Sequence, residues 1–101
     1  MNLSPREIDK MYVYLVANLA EKRRKRGIAL NYGESVALIS EAVLEGAREG
    51  KTVAECMELS KHVVAAGDVM PEVREMTKLI QIEATFPDGT KLVSCHDPIS
   101  G

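Results

Sequence analysis

The chain has no tryptophan, one phenylalanine and three tyrosines. That scarcity disfavours a base-stacking nucleic-acid surface, which needs exposed rings. There are two histidines, His62 and His96, and two cysteines, Cys56 and Cys95, with no paired Cys or His spacing of the zinc type. A metal site built from this chain alone is therefore not expected. No apolar run approaches the roughly 20 residues that a membrane span needs. No apolar stretch follows Met1, so no secretory signal is expected. These absences together point to a reducing, cytoplasmic setting and to free thiols, although a Cys56–Cys95 disulfide stays open on sequence grounds. Proline and glycine, at four and seven residues, are too sparse for a disordered chain of this hydrophobicity.

What is present is an aliphatic chain of 101 residues, 46% hydrophobic and 28% charged, with five methionines. The length suits one domain, residues 1–101, with a single core and little room for a large buried cavity. Net charge is −2, unevenly spread. Residues 1–26 hold seven Lys/Arg against three Asp/Glu, and the surplus lies mostly in Lys22-Arg23-Arg24-Lys25-Arg26. Such a run can read as a nucleic-acid or anionic contact. It equally suits the negative end of a helix dipole, the reading preferred here.

The pattern predicts an α+β fold: a helical bundle of about three main helices plus a short fourth (4–77), followed by a C-terminal antiparallel β-hairpin and tail (78–101). Ser4-Pro5-Arg6-Glu7 is a helix start with a capping box and Pro at the first helical position. Ile8, Met11, Tyr12, Leu15, Val16 and Leu19 follow at helical spacing, and Gly27 is a natural stop. Asn31 and Glu34 open a second helix, in which Val36, Ile39, Ala42, Val43 and Ala47 form an inward stripe that Leu38 and Leu44 widen. Gly46 inside that helix suggests a close crossing. Thr52 and Glu55 open a third helix, expected to run to about Ala66. Pro71 interrupts the next segment, leaving one turn on either side. From Lys78 the period changes to two, and Pro87-Asp88-Gly89 forms a turn, with a bulge expected at Gly89. A lone hairpin is marginal in water, so it must lie on the helices or add to another chain.

No self-contained chemistry emerges. Ser40 and Ser60 lack a base on the same face, since His62 is only two residues from Ser60 on one predicted helix. The carboxylates Glu41, Glu45, Glu49, Glu55 and Glu58 fall on polar faces, and no glycine-rich phosphate loop occurs. From residues alone the reading is a small α+β domain needing a partner. A small helical nucleic-acid-binding protein using residues 22–26, or an adaptor joining by strand addition through the hairpin, stay as alternatives.

Several stretches, taken in order, carry a resemblance. They are Leu3-Ser4-Pro5-Arg6-Glu7 with Asp9-Lys10, Leu30-Asn31-Tyr32 with Glu34, and Val36-Ala37-Leu38-Ile39-Ser40. Glu45-Gly46-Ala47-Arg48 and Gly50-Lys51-Thr52-Val53 continue the series. The most specific is Gln81-Ile82-Glu83-Ala84-Thr85-Phe86-Pro87-Asp88-Gly89-Thr90-Lys91-Leu92-Val93, followed by His96-Asp97-Pro98-Ile99. Over essentially its whole length the chain resembles the gamma-chain family of bacterial ureases. It departs from that pattern at Gly33, Cys56, Cys95 and Met70-Pro71.

The resemblance implies a subunit of a nickel hydrolase that converts urea to ammonia and carbamate. Two nickel ions, bridged by a carbamylated lysine and held by four histidines and an aspartate, would lie in the large alpha chain. The implied assembly is (alpha-beta-gamma)3, matured by accessory proteins, with no nucleic acid and no membrane. No catalytic, cofactor-binding or metal residue is then expected in this chain. The hairpin with Phe86, and the tail His96, Asp97, Pro98 and Ile99, are expected to dock on the large subunit. The first helix, whose run Tyr12-Val13-Tyr14-Leu15-Val16 is too apolar for one stripe, is expected to face a neighbouring protomer through Tyr12 and Tyr14.

Overall fold

The computed structural model describes residues 2–101. Three capping boxes set the three main helices. Helix α1 spans Pro5–Lys25; the Ser4 hydroxyl accepts from the Glu7 N–H and the Glu7 carboxylate accepts from the Ser4 N–H. Helix α2, Tyr32–Arg48, is closed the same way by Asn31 and Glu34. Helix α3, Val53–Leu59, is closed by Thr52 and Glu55. Each box satisfies two N–H groups that the first helical turn cannot bond internally. Gly27 and Gly50 end α1 and α2 at φ +76° and +96°, a region that L side chains rarely adopt.

Helix α2 is the centre of the molecule. It packs against α1 on one side, and against α3 and the hairpin on others. Ile39 and Val43 are fully buried, and Gly46 and Ala47 are buried too. A Cβ at Gly46 would lie 3.1 Å from Leu59 Cδ2 and 3.2 Å from Cys56 Sγ, so the close crossing with α3 is real. That proximity outweighs the propensity cost of about 1 kcal/mol for glycine in a helix.

The third helix is shorter than its spacing predicts. It ends at Leu59, and a 3-10 turn, Ser60–His62, follows. The Ser60 hydroxyl, fully buried, donates to the Met57 carbonyl at 2.6 Å. The chain then straightens into β1, Val64–Ala65. Val64 suits an extended backbone by its β-branch and finds a partner far along the chain. After a second 3-10 turn, Ala66–Asp68, comes the one-turn helix α4, Val73–Met76. Leu30 bridges this connection, donating its N–H to the Asp68 carbonyl and accepting from the Met70 N–H, each at 2.8 Å.

Strands β2, Leu79–Phe86, and β3, Gly89–His96, form the antiparallel hairpin. Ile80, Ile82, Ala84 and Phe86 point inward, while Leu79, Gln81, Glu83 and Thr85 point outward. The register runs without a break from Leu79↔His96 to Phe86↔Gly89. Every residue beyond the Pro87-Asp88 loop has its own partner, so there is no bulge at Gly89. Strand β4, Ile99–Ser100, lies parallel to β1, pairing Val64 with Ile99 and Ala65 with Ser100. The architecture is thus α+β, helices followed by a hairpin, with the tail folded back beside the end of α3. No described helix is long and apolar enough to cross a membrane.

Helix α1 presents its faces unexpectedly. Its buried residues are the small Ala17 and Ala20, set against α2. Ile8, Met11, Tyr12, Leu15 and Leu19 lie on the outer side, between 39% and 64% exposed.

Candidate functional site

The residues able to do chemistry are dispersed. His62 sits exposed at the end of the 3-10 turn, its Nε2 3.2 Å from Glu58 Oε1. His96 is exposed at the end of β3, beside a surface hollow with Met57, Glu58 and Lys61. Among the described residues no group of three or more His, Cys, Asp or Glu could hold a metal ion. The described donors do not fit a nickel pair, which the resemblance implies for the alpha chain. Cys56 and Cys95 are free and fully buried. Burial pushes both thiols above their ordinary range, which keeps them in the weakly nucleophilic thiol form. Ser60 is engaged with Met57. Burial, then the charges of Glu45 and Glu21, raise the Glu41 carboxyl. No described nucleophile is bonded to it.

The seven residues expected at an interface divide into three groups. Tyr12 on α1 is 61% exposed, and His96 and Asp97 are also on the surface. Asp97 adopts φ +45°, and its N–H donates to the Lys78 carbonyl at 2.7 Å, turning the corner between β3 and β4. Tyr14 is half-buried between α1 and α2; its hydroxyl donates to the Glu45 carboxylate. Burial, followed by that bond, pushes its pKa up to about 12. Phe86, Pro98 and Ile99 are buried within this chain, Ile99 as the tail's anchor beside Val64. These three complete the chain's own core beneath the hairpin and tail.

The exposed apolar surface lies elsewhere. One part is the outer side of α1, described above. The other is the outer face of the hairpin, where Leu79, opposite His96, and Leu92, opposite Glu83, are each about half exposed. Sequence reasoning flagged the excess of apolar residues on α1 but not its direction. The usable signal was Ala17 and Ala20, small residues at a spacing that suits a close helix contact. Leu79 and Leu92 are offset from the buried residues of their strands by one position, the usual mark of the outward face.

The basic run is partly structural. Arg23 Nη1 lies 2.6 Å from Glu34 Oε2, linking the last turn of α1 to the first of α2. Arg24 bonds both Glu21 oxygens and donates to the Val63 carbonyl at 2.8 Å, with Asp68 at 3.6 Å. Glu21 and Asp68 in turn hold the Arg24 guanidinium more firmly protonated. Lys22, Lys25 and Arg26 point to solvent.

The site is thus a set of apolar faces around a closed core, with no catalytic constellation among the described residues. Comparison with known proteins supplies the family. The family described as "Urease, gamma subunit" matches residues 1–99. A curated relative named "Urease subunit gamma", from Corynebacterium kroppenstedtii, is 60% identical over 99 residues, 98% of each chain. The chain belongs to the urease gamma subunit family.

Proposed function

We propose that this chain is a structural, non-catalytic subunit of urease, folding as one domain and supporting assembly rather than contributing to the reacting centre. Membership of the family makes it part of a urease, a hydrolase built with other urease subunits. In this reading the two nickel ions and the carbamylated lysine that hydrolyse urea are held by the alpha chain. The complex is (alpha-beta-gamma)3, matured by accessory proteins in the cytoplasm. One observation carries the reading: apolar side chains are left exposed on two separate faces of a chain whose core is otherwise complete. Exposed apolar faces of this kind mark interaction sites more often than chance solvent contacts. The hairpin's outer face, with Leu79, Leu92, His96 and Asp97, docks on the large chain. Helix α1, through Tyr12 and its neighbours, faces a neighbouring protomer.

Co-expression with the alpha and beta chains tests the reading. Leu92→Lys places a charge on the outer face without touching the core. It should reduce recovery of the alpha chain on a tagged gamma chain by about tenfold or more, equivalent to about 1.4 kcal/mol. Urea hydrolysis in the pull-down should fall in proportion. A Thr90→Lys control at the margin of that face should leave both unchanged. Full recovery of an active complex with Leu92→Lys would remove the hairpin from the interface. A gamma chain that never associates with the other subunits would overturn the reading as a whole.

A further inference from the structure

The main helices and the hairpin form two layers of unequal width. Helix α1 packs on α2 and α2 on α3, while β2 lies on α2 and β3 on α3. The strand layer therefore stops one strand short of α1, and α1 and β2 scarcely touch each other. Between them two adjoining hollows, of about 280 and 310 Å³, follow β2 from Gln81 to Thr85 and share Lys10 and Leu44. The backbone along this groove is unpaired. The Asp97 N–H donates to the Lys78 carbonyl, and antiparallel bonding alternates from there through the unbroken register. Ile80, Ile82, Ala84 and Phe86 thus turn their N–H and C=O groups toward β3. Gln81, Glu83 and Thr85 turn theirs the other way, to the groove, where no described residue bonds them. Strand β2 has neither the proline nor the bulge that commonly guards a free edge. The guard present is the Arg6–Glu83 ion pair, which crosses the groove at 2.9 Å; both side chains are exposed, so it contributes little. On the groove floor Ser40 is 7% exposed, and its hydroxyl has no hydrogen bond among the described residues.

We propose that an extended segment of another urease subunit adds to β2 as a third strand, over the groove between α1 and α2. The proposal rests on the reading that the chain assembles with other urease subunits, and it names how one of them is held. The outward backbone groups of β2 recur at every second residue, about 7 Å apart. Another extended backbone matches that repeat, and a compact ligand does not. The charges along the groove balance, Arg6, Lys10 and Arg48 against Asp9, Glu45 and Glu83, so the groove does not select an anion or a nucleic acid. Alternate side chains of the added strand face the floor, where Leu44 suits an apolar residue and Ser40 a polar one. The free edge of β3 is the poorer site. Strand β3 already lies on α3, the last helix of the row, so a strand beyond it has no main helix beneath.

Amide hydrogen exchange, followed residue by residue, tests the pairing. The gamma chain is labelled free and in the complex co-purified with the other urease subunits. In the free chain Gln81, Glu83 and Thr85 should exchange fast and Ile80, Ile82 and Ala84 slowly. In the complex the first three should slow by at least about a hundredfold, and Leu92 and Ser94 on the β3 edge by under about tenfold. A pair of variants isolates the backbone. Gln81→Pro removes an outward N–H without taking a donor from the hairpin ladder, and Gln81→Ala removes the same side chain but keeps the N–H. Recovery of the other subunits should be at least about tenfold lower with Gln81→Pro than with Gln81→Ala. Thermal melting of each free variant shows that it is folded; if Gln81→Pro does not fold, exchange of the unaltered chain decides alone. Fast exchange of the three amides in the complex, slowing on the β3 edge instead, or equal recovery with folded variants would overturn the pairing and leave the assembly reading standing. Slowing in the free chain that grows with its own concentration would make a second copy the occupant, and would also overturn it. A gamma chain that stays free beside the other subunits would overturn the assembly reading and the pairing with it.

Discussion

Replacing Glu34 by glutamine isolates what the basic run does for the fold. Glu34 is 5% exposed. One of its oxygens accepts from the Asn31 N–H at 2.9 Å, and the other faces Arg23 Nη1 at 2.6 Å. Glutamine keeps the first contact, because a capping box accepts either residue. It loses the charge opposite Arg23. A hydrogen bond to a charged group contributes about 1.5–3 kcal/mol in a sheltered setting. The Arg23 side chain is 41% exposed, so solvent screening reduces that to about 1 kcal/mol. For a chain of this length that is a fall in Tm of about 4–8 °C. The pH dependence supplies a second check. The hydrogen bond from the Asn31 backbone, then the Arg23 contact working against burial, holds the Glu34 carboxyl below its ordinary range. A depressed pKa stabilises the folded state above the unfolded value and ceases to as pH falls through the folded value. The wild-type advantage over Glu34→Gln should therefore be full above roughly pH 5 and shrink below roughly pH 4. Urea unfolding at several pH values, with Arg23→Gln completing a double-mutant cycle, measures both effects. An unchanged difference at every pH, or a coupling under about 0.3 kcal/mol, would refute the reasoning.

Four further outcomes are expected. Ile99→Ala should cost about 2–4 kcal/mol in thermal unfolding, because it empties a closed part of the core. Leu92→Ala, on the exposed face, should stay within about 0.5 kcal/mol. Glu72→Gly should raise Tm by a few degrees: Glu72 sits at φ +74°, and relief of roughly 1–2 kcal/mol of left-handed strain exceeds the entropy cost of glycine. Cys56 and Cys95 should react with a thiol reagent at least about a hundredfold more slowly in the folded chain than in denaturant, since burial disfavours their thiolates; equal rates would contradict their burial.

Local chemistry was legible in the residues, and long-range pairing was not. Ser4/Glu7, Asn31/Glu34 and Thr52/Glu55 announce three helix starts because a cap needs only neighbours three apart. The alternation of Ile80, Ile82, Ala84 and Phe86 announces a half-buried strand for the same reason. The end of α3 is different. Val63 and Val64 fit a continuing helix as well as a strand, and the decision is made by Ile99, 35 positions beyond Val64. The same distance effect hid the burial of Phe86, Pro98 and Ile99, whose specific appearance in the sequence suggested a contact with another chain. On α1 a two-sided pattern was visible, but periodicity cannot say which side meets α2. Ala17 and Ala20 win because small residues let two helices approach closely. The candidate site was correspondingly half legible. The lack of a ligand set could be read from two histidines, whereas the exposed faces required the packing.

The parallel pairing of Val64 with Ile99 also bears on the order of events at the ribosome. Helices α1 and α2 can meet as soon as about fifty residues have emerged, since their contacts are close in sequence. The other side of α2, with Ile39 and Val43, must wait for the hairpin and for Ile99. Closing that span requires ordering a long loop before any long-range contact is gained. Until Ile99 has been made, therefore, the nascent chain carries an open apolar flank, the kind of surface that makes an incomplete chain prone to aggregate.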